Sequence, residues 1–88
     1  MMKMSSSFEL IQVADDYLAI PIGEAAMKSR DVFTFSKAAA FLLDKLKEPR
    51  SKDDLVALLV SEYDIDTEKA KLDIDAFLEN LHDTGLLE

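Results

Sequence analysis

Acidic side chains are the largest chemical resource of this chain, with 18 Asp and Glu among 88 residues. Close carboxylate pairs can divide general acid and base work between them. Three pairs have suitable spacing: Asp53-Asp54, Asp64/Asp66 and Asp73/Asp75. None sits in a pattern that calls for catalysis. Asp53 and Asp54 fall in the first turn of an expected helix, where they complement the macrodipole, and Asp66 reads as a helix cap. Asp64-Ile65-Asp66-Thr67-Glu68 resembles the start of a calcium loop, but a Gly at the sixth position and a Glu at the twelfth are both missing. His82 is the single histidine, and nothing in the sequence supplies the nucleophile or orienting group that a general base needs. It belongs instead to the last turn of a helix, where its protonated form is favourable. Without cysteine there is no thiolate metal site, disulfide or cysteine nucleophile, and Gly23 and Gly85 stand too far apart for a phosphate loop. The expectation is a protein that is not an enzyme, with no catalytic residues, no cofactor and no metal.

A content of 49% hydrophobic and 32% charged residues, with two Gly and two Pro, describes one globular domain. A chain of this size buries roughly 60–65% of its unfolded surface, enough for a core but not for a core plus an enclosed catalytic cleft. The net charge of −8 is uneven: −1 over residues 1–30, zero over 31–60 and −7 over 61–88. Such a field repels phosphate backbones and favours basic partners, so no nucleic-acid partner is expected. No apolar run approaches the roughly 18 residues of a membrane span, and Met1 to Ser7 lacks the apolar stretch of a signal peptide. A soluble, cytoplasmic protein with no membrane partner is expected.

Residues 1–7 have no periodicity and are expected to form a disordered tail ahead of one domain over residues 8–88. Phe8, Leu10, Ile11 and Val13 read as a strand whose alternation slips by one residue, which predicts a bulge or burial on both faces. Asp15-Asp16 makes a turn. Tyr17 to Ile22 then alternates, with Leu18, Ile20 and Ile22 on one face and Tyr17, Ala19 and Pro21 on the other. Gly23 to Asp31 is a polar connection, and Val32 to Phe35 is a third short strand. Beyond it the apolar period changes from two to 3.6. Ser36 caps a first helix with the stripe Ala38, Ala39, Leu42, Leu43 and Leu46, and Pro49 prevents its continuation. Ser51 caps a second, with Asp54 three residues on and Leu55, Leu58, Leu59 and Tyr63 facing inward. Asp66 or Thr67 opens a third, with Ala70, Ile74, Phe77, Leu78 and Leu81 as its stripe and Gly85 as the left-handed residue beyond it. The sum is an α+β, winged-helix-like fold: a three-stranded antiparallel N-terminal sheet followed by three helices (βββααα).

If the hairpin occupies one edge of the third strand, its other edge is open to an extended peptide. On the third helix Leu72 and Ala76 lie off the main stripe. With Lys69, Asp73 and Asn80 they would wall a groove beside Val32, Phe33, Thr34 and Phe35. Main-chain bonds give such a groove affinity, and its side-chain pockets give selectivity. The competing assignment is an edge guarded by Lys28 and Arg30. A winged-helix interaction domain for nucleic acid or a regulatory protein is the second functional class, and the acidic third helix works against it. The free edge could also pair two copies, so a monomer or a weak dimer is expected.

Three groups of residues carry a family likeness: Ile20-Pro21-Ile22-Gly23-Glu24-Ala25, Ala38-Ala39-Ala40-Phe41-Leu42-Leu43 with Leu46, and Ser51-Lys52-Asp53-Asp54-Leu55-Val56. The longest stretch is Glu62 to Ala70, continued by Asp73 to Leu81 and Gly85-Leu86-Leu87. In this combination Phe8 to Leu87 resembles the PqqD family, small proteins of pyrroloquinoline quinone biosynthesis, and the related recognition domains of ribosomally made, modified peptides. The chain departs from the family at Phe35-Ser36, where an Asn often follows a Leu, and at Leu43, often a Trp. The resemblance implies a peptide chaperone without catalysis. It would bind a precursor leader peptide as a strand beside the third strand, against the third helix, and present it to a modifying enzyme, commonly a radical S-adenosylmethionine (radical SAM) protein. The acidic C-terminal segment adds the expectation of a leader with Lys or Arg, each close surface pair contributing roughly 0.2–1 kcal/mol.

Overall fold

The computed structural model describes residues 1–28, 32–82 and 84–88. Ala14-Asp15, with Ala14 at a left-handed φ of 55°, folds β1 (Phe8–Val13) back on β2 (Asp16–Pro21). The register runs from Phe8↔Pro21 to Val13↔Asp16 without interruption, so the expected bulge is absent. The slip in alternation has a different origin. Phe8 and Leu10 pack against the core, whereas Ile11 and Val13 occupy the other face, with Val13 53% exposed. β3 (Phe33–Phe35) pairs antiparallel with β2, giving the order β1-β2-β3, and Val32 lies just outside it. Ala19, opposite both Leu10 and Phe33, is fully buried, so the Tyr17-Ala19-Pro21 face is the one turned to the core.

Between β2 and β3 the expected polar connection contains a short helix, α1 (Glu24–Lys28), so the order among the described residues is ββαβααα, with four helices rather than three. Glu24-Ala25-Ala26-Met27-Lys28 are good helix formers, with the acid first and the base last as the macrodipole prefers. Residues 29–31 of that connection, including Arg30 and its expected role as an edge guard, lie outside the described residues.

The remaining helices are α2 (Lys37–Lys45), α3 (Lys52–Tyr63) and α4 (Thr67–Leu81), each started by a side-chain cap. The Ser36 hydroxyl accepts from Ala39 N–H at 3.2 Å, and the Asp66 carboxylate accepts from Lys69 N–H at 2.8 Å. Ser51 and Asp54 form a reciprocal box at 3.1 and 3.0 Å. α3 ends at Asp64, whose φ of 50° is one that Asp tolerates. α2 touches all three strands, and α4 packs on α3, where the Lys52–Asp75 ion pair joins them. Leu43, Leu46, Leu55 and Ile74 are fully buried at the centre of the core.

The N-terminal residues are not the free tail that their lack of periodicity suggests. Met2 exchanges backbone bonds with Arg50, Met4 N–H donates to Leu46 C=O at 2.7 Å and Ser5 N–H to Leu86 C=O at 2.7 Å. Met4, 5% exposed, joins the apolar cluster with the fully buried Leu86. Burying one such side chain contributes about 1.5–3 kcal/mol, enough to hold a segment with no propensity of its own. Gly85, at φ 79°, turns the chain after α4 so that Leu86 can return to the core. Among the described residues no helix is long and apolar enough to cross a membrane.

Candidate functional site

The parity of the hairpin determines which groups of β3 are free. Ile22 N–H donates to Ser7 C=O at 2.8 Å, continuing the series of directly bonded pairs Val13–Asp16, Ile11–Leu18 and Glu9–Ile20. Even-numbered residues of β2 therefore bond β1, and Tyr17 and Ala19 bond β3 at Phe35 and Phe33. The N–H and C=O of Thr34 consequently point away from the sheet, to an edge with no further strand among the described residues. Side chains follow the same alternation. Phe33 and Phe35 are half-buried on the core face, and Thr34 is exposed on the other.

Beside this edge lies an apolar groove of about 420 Å³. Phe35 and Ser36 form its strand end, Ala38, Ala39 and Leu42 of α2 one side, and Ala76, Phe77 and Leu81 of α4 the other. Asp73 and Asn80 provide its polar atoms on α4, and Tyr63 and Ile65 close it from the α3–α4 corner. Its size and mostly apolar lining suit a large side chain, with a few polar groups to orient it.

Of the nine residues expected to form the groove, Phe35, Asp73, Ala76 and Asn80 come together in it. Thr34 supplies the open main-chain groups, and Phe33 lies on the core face with its ring 6.1 Å from Phe8. Val32 is 50% exposed ahead of the strand. Lys69 stands outside the lining and pairs with Asp73 at 3.3 Å. Leu72 is 70% exposed and also outside it, because at 100° per residue it projects almost opposite the buried stripe of Ala70, Ile74, Phe77 and Leu81. The other lining residues, which strand and helix periodicity did not assign to the groove, are Ser36, Ala38, Ala39, Tyr63 and Ile65 together with Leu42, Leu59, Phe77 and Leu81 of the apolar stripes. Two alanines at the start of the helix that follows the edge strand were the available signal, since small side chains there leave room for a ligand.

The carboxylate pairs all have structural surroundings. Asp54 completes the α3 box, Asp66 caps α4, Asp64 ends α3, Asp73 pairs with Lys69 and Asp75 with Lys52. Hydrogen bonding from Ser51, chiefly its backbone N–H, holds the Asp54 carboxyl below the usual carboxylate range. Among the described residues no three His, Asp or Glu side chains stand together as a metal site would require.

The family described as coenzyme PQQ synthesis protein D (PqqD) matches residues 25–87. The chain belongs to the PqqD family. Two solved structures share its fold. "TbiB1 in Complex with the TbiA(beta) Leader Peptide" is 20% identical with a TM-score of 0.76, covering 98% of this chain and 94% of that one. "Lasso peptide synthetase B1 complexed with the leader peptide" is 18% identical with a TM-score of 0.74, covering 99% and 96%. No curated protein matches the chain.

Proposed function

We propose that this protein is a non-catalytic peptide chaperone that binds the leader of a ribosomally made precursor and presents it to a modifying enzyme. The observation that carries this reading is the outward N–H and C=O of Thr34 beside the apolar groove against α4. The leader adds as a strand at that edge, with residues opposite Phe33 and Phe35 turned toward the groove and the residue opposite Thr34 turned outward. Two proteins of the same fold were each solved with a leader peptide bound, and membership of the PqqD family supports the same role. The modifying enzyme is a radical SAM protein by family analogy, and the surplus of carboxylates after residue 60 favours a leader with Lys or Arg.

Thr34→Pro tests the reading directly. Proline removes the outward N–H and crowds an incoming strand while leaving the bonds to β2 in place. The variant should keep its circular dichroism spectrum and bind a synthetic leader at least about a hundredfold more weakly. Unchanged affinity in the folded variant would exclude strand addition at this edge.

A further inference from the structure

The molecule has a second concavity, of about 280 Å³, on the other flank of α2. Leu10 and Tyr17 of the hairpin, Phe41 of α2 and Tyr63 of α3 form its floor, and Lys37 and Glu62 stand at its rim. Phe41 and Tyr63 meet edge to face with centroids 5.9 Å apart, a preferred aromatic geometry that makes the floor pre-formed. Neighbouring charges are engaged: Asp44 pairs with Lys47 at 3.0 Å, and Lys45 lies 5.3 Å from the Phe41 ring centroid. Lys37 and Glu62 make no ion pair among the described residues. An aromatic floor between an unpaired cation and an unpaired carboxylate suits an apolar or aromatic side chain flanked by opposite charges.

This cleft adjoins the groove, since Tyr63 lines both. A strand added antiparallel to β3 runs N-terminally past Phe35 to the start of α2, where Ser36 belongs to the groove and Lys37 to the cleft. We propose that the cleft seats the part of the leader N-terminal to its strand-forming residues. An apolar or aromatic anchor occupies the floor, an acidic neighbour meets Lys37 and a basic one meets Glu62. This inference rests on the strand-addition reading and extends the footprint of the leader around the end of β3.

Two synthetic probes test it by calorimetry: the full leader of the precursor encoded beside this protein, and the same leader cut back to its strand-forming segment. The cut peptide should bind about tenfold more weakly, the loss expected for one buried apolar anchor. Lys37→Glu and Glu62→Lys should each weaken the full leader by about two- to fivefold and leave the cut peptide unaffected. Both substitutions suit their helix ends, an acid in the first turn of α2 and a base in the last turn of α3, so folding is not at stake. Equal affinities for the two peptides, or rim variants that bind the full leader like wild type, would overturn the assignment. Thr34→Pro separates the two levels. Undiminished binding of the cut peptide by that variant would remove the strand-addition reading itself. If it loses the cut peptide while the rim variants are silent, only the cleft is lost.

Discussion

Both outer strands of the sheet turn alternate main-chain groups away from β2, at Leu10 and Gln12 in β1 and at Thr34 in β3. Counted by main chain alone, the six-residue β1 offers more than the three-residue β3. What lies beside them differs. β3 borders a groove lined by Phe35, Ala76, Phe77 and Leu81, whereas Leu10 and Gln12 border the smaller cleft with its charged rim. An edge offers the same bonds to any extended chain, and the wall decides which side chains are admitted. The position of α4, more than the length of a strand, therefore marks the peptide site.

The sharpest way to break this comparison is to place the same lesion on both edges. Thr34→Pro should reduce affinity for the strand-forming segment of the leader at least about a hundredfold. Gln12→Pro, whose N–H also faces outward but beside the cleft that this segment does not reach, should stay within about fivefold of wild type for the same peptide. Equal losses would mean that the two edges are interchangeable. A smaller effect comes from the wall alone. Ala76→Trp fills the groove from an exposed helix position, so it should weaken the leader about tenfold and shift stability by no more than about 0.5 kcal/mol. Thermal melts and titrations read the two quantities separately.

The smallest effects concern α3, which carries the Tyr63 that both sites share. Ser51→Ala removes its cap and should cost about 1 kcal/mol, a fall of about 4–8 °C in Tm, with little change in leader affinity. Asp54, the other half of the box, has its carboxyl lowered by folding. Its contribution is therefore complete above the unfolded pKa and is lost as pH falls through the folded value. Asp54→Asn should lower Tm at pH 7, and its gap from wild type should close on acidification below the ordinary carboxylate range. A gap that persisted in acid would assign the role of Asp54 to packing instead.

Helices were the legible part of this chain. Each of α2, α3 and α4 has a side-chain cap at a readable position and a stripe repeated over at least two turns, so Ser36, Ser51 and Asp66 lie where the residue types place them. The sheet was less legible, because six-residue strands leave the alternation open to a single ambiguous residue. Ile11 and Val13 suggested a bulge, yet they belong to the outer face of the sheet, where Val13 is 53% exposed. Periodicity likewise placed Leu72 in the groove, although Asp73 and Ala76 beside it are the residues that reach the lining. One helical residue is 100° of rotation, which is enough to move a side chain out of a groove.

Local chemistry along the chain determined the helix starts, the open third strand, the concentration of charge after residue 60 and the family pattern, since each depends on residues a few positions apart. Tertiary structure decided the rest. It docked Met4 against Leu86, turned the Ala19 face inward, and brought the start of α2 and the C-terminal half of α4 together at Phe35. Those outcomes depend on apolar area shared between segments as far apart as Met4 and Leu86, and burial of that kind is non-directional, so no local spacing encodes it.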